Sequence, residues 1–355
     1  MRTPTSIVLL LAASAALVGC GGQAGTPTTP AESPAAPATQ PAADALVPAA
    51  EGAATYPLTL TTPYGTTTLE ERPERIAVVG GLGELDAVLA LGIKPVISPE
   101  KADGWAWYPQ YTEQLAEATV INPWADAMEI EAILSAKPDL IVAFSGDVEN
   151  NFERMSKIAP VLGFETADGD PGDWRAVTRS VGAALDLTKA ADLAVADAEQ
   201  HVAGVAAENP QFVDKTLAVL INRGQASGIE FVNAAGSPAE EILSELGFAP
   251  HPNAAKFVGD NWEVSLENIG MVDGDGLLIA QHGGEGTAEE AESWLNASPL
   301  FQSLNVVKED RVSYLLPDPK TGGLDIAWSF SHPTAVNLVW TVDALNEALE
   351  GSFPR

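Results

Sequence analysis

The hydrophobic pattern switches repeatedly, from Tyr56 onward, between short β-like runs and stretches with helical spacing. In RIAVVGGLGELDAVLALGI, residues 75–93, the run from Ile76 to Val79 has the composition of a buried strand. The apolar positions after Gly83 then recur at helical intervals. Strands that alternate with helices in this way predict an α/β fold with parallel sheets.

The glycines of this segment resemble the opening of a dinucleotide-binding domain. Gly81 and Gly83 follow the strand, and Glu100 falls near the end of the next apolar run, where an acid would bind the ribose. The third glycine position of that fingerprint is Asp86, however, and an acid in the first helical turn would repel a pyrophosphate bound there. The segment is therefore interpreted as the first strand, loop and helix of a binding lobe.

Two pairs of similar segments recur in the same order and predict two related lobes. DAVLALGIKP, residues 86–95, matches EILSELGFAP, residues 241–250, and each is expected to be a helix that ends at a glycine C-cap. IEAILSAKPDLIVA, residues 130–143, matches LENIGMVDGDGLLIA, residues 266–280, each with a Glu opening a short helix before a buried strand. A duplicated α/β lobe accounts for both matches.

A helical stretch from Asp173 to about Asn209 separates the two lobes. Thr188 is a plausible N-cap for its second part, which would then extend over about 30 Å. The predicted organisation is an N-terminal lobe over residues 56–170, connector helices over 171–210 and a C-terminal lobe over 211–355. In this arrangement one long helix joins two similar lobes, each a central β-sheet flanked by helices, with a ligand cleft between them.

The N-terminus predicts export and lipidation. Arg2 precedes an apolar stretch, Ile7 to Val18, which is shorter than a typical membrane-spanning helix and is typical of a signal peptide. The stretch ends in Leu-Val-Gly-Cys, which resembles the bacterial lipobox, and Cys20 is the only cysteine in the chain. We expect a signal peptide over residues 1–19 and a lipidated Cys20 that anchors the protein to the outer face of the cytoplasmic membrane.

Composition refines this picture at two points. Residues 21–55 are rich in Ala, Pro and Thr and contain no aromatic, Lys or Arg residue, so residues 20–55 are predicted to form the lipidated cysteine and a disordered tether. The formal net charge is −31, and a surface of that sign repels nucleic acid. Nucleic acid is therefore not an expected partner, and contact with the membrane is expected through the lipid anchor only.

Several longer segments occur in an order that carries a family resemblance. They are RPERIAVVG with LALGIKPV, IEAILSAKPDLIVAF, ERMSKIAPV, WEVSLENI and NASPLFQSLNVVKEDRVSYL. Together they resemble the substrate-binding lipoproteins of ABC importers, in the helical-backbone subclass for ferric siderophores, haem and cobalamin, and most closely its iron-siderophore branch. The resemblance implies a monomer without intrinsic cofactor that captures a ferric siderophore and delivers it to a permease dimer for iron uptake. Haem and cobalamin remain alternative ligands within the same fold.

Glu131 and Glu267 match the family's acidic residues that dock each lobe onto arginines of the permease. They also occupy equivalent places in the second repeat, and an exposed carboxylate on each lobe suits charge-assisted bonds to two related subunits. The alternative is that they are first-turn glutamates that complement a helix dipole.

Candidate ligand contacts follow the predicted strands, because ligands of open α/β sheets bind outside the carboxyl ends of the strands. Each candidate has a structural alternative: the rings would cover the core, the arginine would form a surface salt bridge, and the histidine would be structural. The candidates are Trp105, Trp107, Tyr108, Phe144, Ser145, Arg223, His282 and Trp328.

Other classes of protein lack support in the sequence. The four histidines, His201, His251, His282 and His332, are scattered, so direct metal binding by the protein is not expected. The nucleophile elbow, the His-Glu-x-x-His motif and the Walker motif are all missing, and a secreted enzyme is disfavoured. An adhesive lipoprotein remains an alternative, although it would not require a duplicated lobe.

Overall fold

The structure is a computed structural model, and it describes residues 45–62, 64–122, 127–143, 145–163, 173–259, 262–282, 284, 286–315 and 324–354. The predicted signal peptide, Cys20, the tether up to residue 44 and Phe144 lie outside these residues. Within the described ranges, no helix combines the length and the apolar character needed to cross a bilayer.

The N-terminal lobe contains a five-stranded parallel sheet with the strand order β5-β4-β3-β6-β7. An antiparallel hairpin of β1 and β2 precedes it. The central strands β3 and β6 are buried along their whole length, as expected for a parallel sheet covered on both faces. The strands are β1 (Leu58–Thr62), β2 (Gly65–Leu69), β3 (Ile76–Val78), β4 (Ile97–Ser98), β5 (Thr119–Val120), β6 (Leu140–Ala143) and β7 (Val161–Gly163). The helices are α1 (Leu82–Ala90), α2 (Thr112–Leu115), α3 (Ile130–Ala136), α4 (Ser145–Met155) and a 3-10 turn, Pro109–Tyr111.

Two helices connect the lobes, α5 (Trp174–Ala184) and α6 (Thr188–Glu208). The buried side of α5 includes Trp174, Val177 and Val181, in agreement with the helical spacing of the sequence. Helix α6 has 21 residues and is therefore about 30 Å long.

The C-terminal lobe contains a four-stranded sheet with the order β11-β10-β8-β9, in which only β9 runs antiparallel. Its strands are β8 (Leu217–Asn222), β9 (Ile229–Phe231), β10 (Gly276–Gln281) and β11 (Val312–Leu315). Its helices are α7 (Gly224–Ser227), α8 (Pro238–Glu245), α9 (Ala288–Asn296), α10 (Pro299–Gln302), α11 (Asn305–Lys308) and the 3-10 turns Pro210–Phe212, Ala254–Lys256 and Leu266–Val272. The two-lobed α/β architecture predicted from the sequence is confirmed.

The duplicated segments form equivalent structures in the two lobes. Gly92 after α1 and Gly247 after α8 both have positive φ, 74° and 98°, so each helix ends at a left-handed glycine as predicted. The second pair comprises α3 followed by β6, and the 3-10 turn Leu266–Val272 followed by β10. The two members of this pair differ in the type of their helix.

The N-terminus of α6 is capped by a residue that is distant in sequence. The expected cap, Thr188, is instead the first helical residue and makes no side-chain cap. The carboxylate of Glu51 accepts hydrogen bonds from the backbone N–H groups of Lys189 and Ala190, at 2.7 and 2.8 Å. The prediction for Thr188 is therefore wrong, because a carboxylate from another segment binds the same orphan donors.

The sequence places residues 45–55 in the tether, whereas the structure packs residues 45–54, the docked segment, against the N-terminal lobe. Asp186, between α5 and α6, accepts three backbone N–H groups from residues 52–54, each at 2.8 Å. Arg72 donates to the carbonyls of Pro48 and Leu185, both at 2.7 Å. Burial alone would raise the pKa of Asp186, but these three N–H groups and Arg72 outweigh it and lower the pKa. Composition could not reveal these partners, because they are distant in sequence.

The last two helices, α12 (Leu324–Ser331) and α13 (Asn337–Leu349), contribute to both lobes. Phe330 and Val342 lie in the core of the C-terminal lobe. Val336 instead lies in the core of the N-terminal lobe, and Trp328 and Trp340 pack against that core. Residues 324–354 therefore join the lobes a second time, which the predicted boundaries did not anticipate.

Replacing Glu51 by Ala should loosen the docked segment and destabilise α6. Loss of a helix cap lowers the free energy of unfolding by about 1 kcal/mol, which urea unfolding would measure. Limited proteolysis should cut earlier within residues 45–54, because two of the hydrogen bonds that hold this segment are lost.

Glu208→Ala is the matched control, since Glu208 is the exposed last residue of the same helix. It should leave both measurements unchanged. Equal stability and equal protease resistance of the two variants would contradict the capping role of Glu51.

Candidate ligand-binding site between the lobes

The loops after the strands of both sheets bring the candidate residues to the cleft edge. In the N-terminal lobe, β3 leads into Val79–Gly83 and β4 leads into residues 99–108. In the C-terminal lobe, β8 ends at Asn222 and β10 ends at Gln281, so Arg223 and His282 follow directly. These are the carboxyl ends of parallel strands, the usual ligand edge of such sheets.

Six rings from both lobes form an aromatic cluster. Trp105 stacks on Trp107 with ring centroids 5.1 Å apart and lies 6.0 Å from Trp328. Trp328 stacks in parallel on His332 at 4.0 Å. The cluster consists of Trp105, Trp107, Tyr108, Trp328, His332 and Trp340. The first three rings follow β4 and the last three belong to the C-terminal segment 324–354, so the cluster joins that segment to the N-terminal lobe.

The rings of this cluster differ in their access to solvent. Tyr108 is 0% exposed and Trp107 is 2% exposed, so these two rings cover the core of the N-terminal lobe. Trp105 and Trp328 are only partly buried. Of the predicted aromatic contacts in the described residues, these two retain solvent-exposed surface.

A buried carboxyl, that of Asp86 on α1, lies beneath the cluster. Tyr108 donates its hydroxyl hydrogen to Asp86 at 2.7 Å, and Thr334, between α12 and α13, donates to the other oxygen at 2.6 Å. The residue is 0% exposed, and burial raises its pKa to about 7 despite hydrogen bonds from Thr334, Tyr108 and Trp107. The sequence identified Asp86 only as the residue that breaks the dinucleotide fingerprint.

Glu100 lies against the same loop. Burial raises the pKa of its carboxyl, while a hydrogen bond from Trp105 acts in the opposite direction. A Cβ at Gly104 would lie 2.7 Å from the Glu100 carboxylate, so a larger residue at this position would make the Glu100 side chain move. The residue considered as a ribose ligand thus supports the loop that carries Trp105.

On the C-terminal side of the cleft, Arg223 forms an ion pair with Glu230. The Arg223 Nε and the Glu230 carboxylate make a short hydrogen bond, and Nη2 donates to Oε2 at 3.3 Å. Both side chains are largely buried, with 27% and 19% of their surface exposed. The charge of Arg223 is therefore already compensated within the protein.

His282 lies beside this pair. Its Nε2 is 3.2 Å from Arg223 Nη1, and the N–H of Gly284 approaches its Nδ1 at 3.2 Å. Burial and the Arg223 charge lower the pKa of His282, so the ring is neutral near pH 7. A neutral imidazole has one acceptor nitrogen and accepts only one of these bonds.

The sequence did not identify the polar floor between β8 and β10. The Asn222 amide donates to Gln281 Oε1 at 3.0 Å and to the Ala291 carbonyl at 2.9 Å, and both side chains are buried. A cavity of about 390 Å³ opens nearby, with Glu230, Trp262 and Ser331 in its lining. The signal available in the sequence was Asn222 and Gln281 at the ends of two apolar runs.

The two candidate docking glutamates occupy equivalent, exposed positions. Glu131 is in the first turn of α3, and Glu267 is in the first turn of the 3-10 helix Leu266–Val272. In each lobe the isoleucine two residues later is buried, so the glutamate faces outward. Their role in docking stays a prediction.

The remaining candidates are placed as follows. Ser145 begins α4 directly after Phe144, which lies outside the described residues. In the part of the chain that the structure describes, no three His, Cys, Asp or Glu side chains come together in a way that could hold a metal ion.

Comparisons with known proteins agree with this architecture. The sequence profile of the periplasmic binding protein family matches residues 78–319, and the chain belongs to this family. The Fe(3+)-citrate-binding protein YfmC of Bacillus subtilis is 27% identical over 250 residues, which cover 70% of this chain and 75% of YfmC. The probable siderophore-binding lipoprotein YfiY of the same species is 26% identical over 245 residues, 66% of this chain and 73% of YfiY.

Solved structures show the same fold. The crystal structure of Staphylococcus aureus SirA complexed with staphyloferrin B has a TM-score of 0.63 and 23% identity, covering 82% of this chain and 98% of SirA. That of Streptococcus pneumoniae PiaA in complex with ferrichrome has a TM-score of 0.62 and 25% identity, covering 82% of this chain and 99% of PiaA.

Arg223→Ala should lower the free energy of unfolding by about 2 kcal/mol, because it leaves the largely buried Glu230 carboxylate without its cation. The double variant Arg223→Ala/Glu230→Ala should lose less than the sum of the two single variants. Urea unfolding of all four proteins gives this coupling. The exposed pair of Arg179 and Asp192, 3.0 Å apart, serves as the control and should couple by less than about 0.5 kcal/mol. Equal coupling in the two pairs would contradict the view that Arg223 is committed to Glu230.

Proposed function

We propose that this protein is an extracytoplasmic, lipid-anchored solute-binding protein that captures a ferric siderophore between its lobes. It passes the complex to an ABC transporter permease and thereby supports iron uptake. The anchor is Cys20, and the protein acts as a monomer without intrinsic cofactor.

The observation that carries this proposal is the contact of Trp105, which follows β4, with Trp328 of the C-terminal segment, in a chain of the periplasmic binding protein family. Partly exposed indole rings provide flat apolar surface for a bulky complex. YfmC, YfiY, SirA and PiaA are all described as binding ferric citrate or siderophores, or are solved with a siderophore.

The electrostatics of the cleft favour a neutral or cationic complex, such as a ferric hydroxamate. Arg223 is compensated by Glu230, and the neutral His282 adds no positive charge. The chain as a whole carries a net charge of −31. A highly anionic catecholate or citrate complex would need cations that are free to pair with it.

Delivery to the permease requires an outer face that recognises two subunits. We assign this role to Glu131 and Glu267, whose equivalent exposed positions suit a partner built from two related subunits. Members of the family are solute-binding proteins, and we propose that this chain likewise binds its ligand without transforming it.

Ferrichrome should quench the intrinsic fluorescence of the full chain, purified in detergent, in a saturable manner. Trp105→Phe and Trp328→Phe should each reduce the quenching, because these rings contact the ligand. Trp294→Phe is the control, since Trp294 packs in the C-terminal lobe core and is not part of the aromatic cluster.

The same titration with ferric citrate, ferric enterobactin, haem and cobalamin identifies the ligand class. Tighter binding of haem or cobalamin would reassign the ligand within the same fold. Tighter binding of an anionic ferric complex would contradict the charge argument. The absence of saturable binding to every compound would refute the transport proposal.

The double variant Glu131→Ala/Glu267→Ala should bind ligand with unchanged affinity but lose most uptake of labelled ferric siderophore by cells. Removing the charge-assisted bonds affects the permease contact and not the cleft. The control replaces one exposed glutamate on a different element of each lobe, Glu113 on α2 and Glu347 on α13. If the docking and control variants supported equal uptake, the docking assignment would be wrong.

A further inference from the structure

The buried carboxyl of Asp86 connects the two halves of the aromatic cluster. Tyr108, which is fully buried, donates a hydrogen bond to one carboxyl oxygen and follows Trp107 and Trp105 in the chain. Thr334 binds the other oxygen and is six residues beyond Trp328. One side chain thus contacts both the loop of residues 99–108 in the N-terminal lobe and the turn of residues 332–336 between α12 and α13, the C-terminal turn.

Burying the Asp86 carboxyl among hydroxyl groups costs free energy. We expect its benefit to be that it fixes the relative position of the two segments. A buried carboxylate loses its hydration, and hydroxyl groups compensate a charge less well than a cation does. The hydroxyl of Thr334 is itself fixed, because it also accepts the N–H groups of Val336 and Asn337, at 3.2 and 3.0 Å. A hydrophobic residue at position 86 would leave the buried hydroxyls of Tyr108 and Thr334 without their shared acceptor, and it would not select one register of the two segments.

We propose that Asp86 is a positioning residue for ligand binding: its carboxyl, held by Tyr108 and Thr334, sets Trp105 against Trp328 so that both rings present one surface to the ligand. The positioning concerns the ligand-free protein, and only its consequence for affinity rests on the proposed function.

The titration of Asp86 gives a spectroscopic test of this link. Other titratable groups of the surrounding elements are Glu84 on α1, Glu100 and Tyr108 in the loop, Tyr111 in the 3-10 turn, the buried Asp325 on α12 and His332 in the turn between α12 and α13. Burial and the Asp86 charge raise the pKa of Tyr111 to about 12, so it stays neutral. Glu84 and Glu100 are carboxyls on the N-terminal side, and His332 is the group nearest to Trp328.

The full chain is labelled with 5-fluorotryptophan, and ¹⁹F resonances are assigned with single Trp→Phe variants. We expect the Trp105 and Trp328 resonances to move together with a common midpoint near pH 7, the value about which Asp86 titrates. Asp86→Asn should abolish this transition at both rings, whereas His332→Phe should leave it at Trp105. Trp294 should not respond in any variant.

Separate behaviour of the two rings, or a transition that persists in Asp86→Asn, would overturn the proposal. These results do not depend on any ligand. They therefore decide the positioning role even if the binding proposal fails.

Affinity for ferrichrome tests the consequence. Thr334→Val removes one hydrogen bond to a carboxylate at constant shape and should weaken binding about tenfold. Thr334→Ser restores the hydroxyl and should restore affinity. Thr67→Val is the control: Thr67 is a buried threonine of β2 whose hydroxyl bond to Val161 is also 2.6 Å long.

Thr67→Val should lower the unfolding temperature without changing affinity. Wild-type affinity in Thr334→Val, or an equal loss in Thr67→Val, would mean that Asp86 acts only through overall stability. If the wild-type protein bound none of the ferric complexes, the proposed function would be wrong. The ¹⁹F experiment would still test the positioning role of Asp86, because it uses no ligand.

Discussion

The arrangement of the cleft depends on the hydrogen bond from Thr334 to the buried carboxyl of Asp86. This bond connects the C-terminal turn to the first helix of the N-terminal lobe. Val336, two residues after Thr334, packs in the core of that lobe. The lobes are consequently joined at two places, by α6 and by the segment from 324 to 354. Separating them widely would expose apolar surface and a half-compensated carboxyl, so only small relative motions are compatible with this structure.

Three largely buried carboxyls, those of Asp186, Asp86 and Glu230, show how the groups that contact an acid control its charge. Asp186 receives three backbone N–H groups and a nearby arginine, and its pKa is lowered. Asp86 receives only side-chain donors that carry no charge, and burial raises its pKa to about 7. Glu230 has a guanidinium partner and fixes it in return. The three carboxyls therefore have distinct roles: one anchors the docked segment, one aligns aromatic rings, and one neutralises the cation of the cleft.

Local patterns predicted the fold well because they report on local physics. Helical spacing predicted α5, and Gly92 and Gly247 predicted the ends of α1 and α8. Contacts between distant segments were not predictable in this way. Nothing around Glu51 indicates that it caps α6, and nothing around Thr334 indicates that it meets Asp86. The site was accordingly predicted as a set of loops, while Glu230, the Asn222–Gln281 floor and the role of Asp86 emerged only once the chain was folded.

The two lobes are alike at the positions proposed for docking and differ at the loops that follow their strands. Glu131 and Glu267 occupy the same place in the repeat, each exposed beside a buried isoleucine. The inner faces differ: one presents tryptophans, and the other presents an ion pair and a neutral histidine. The proposed permease partner would meet the same exposed glutamate on each lobe, whereas the proposed ligand would meet two unlike sets of loops. The duplication has therefore kept the glutamates that we propose for docking equivalent, while the loops at the carboxyl ends of the strands have diverged to form the proposed ligand site.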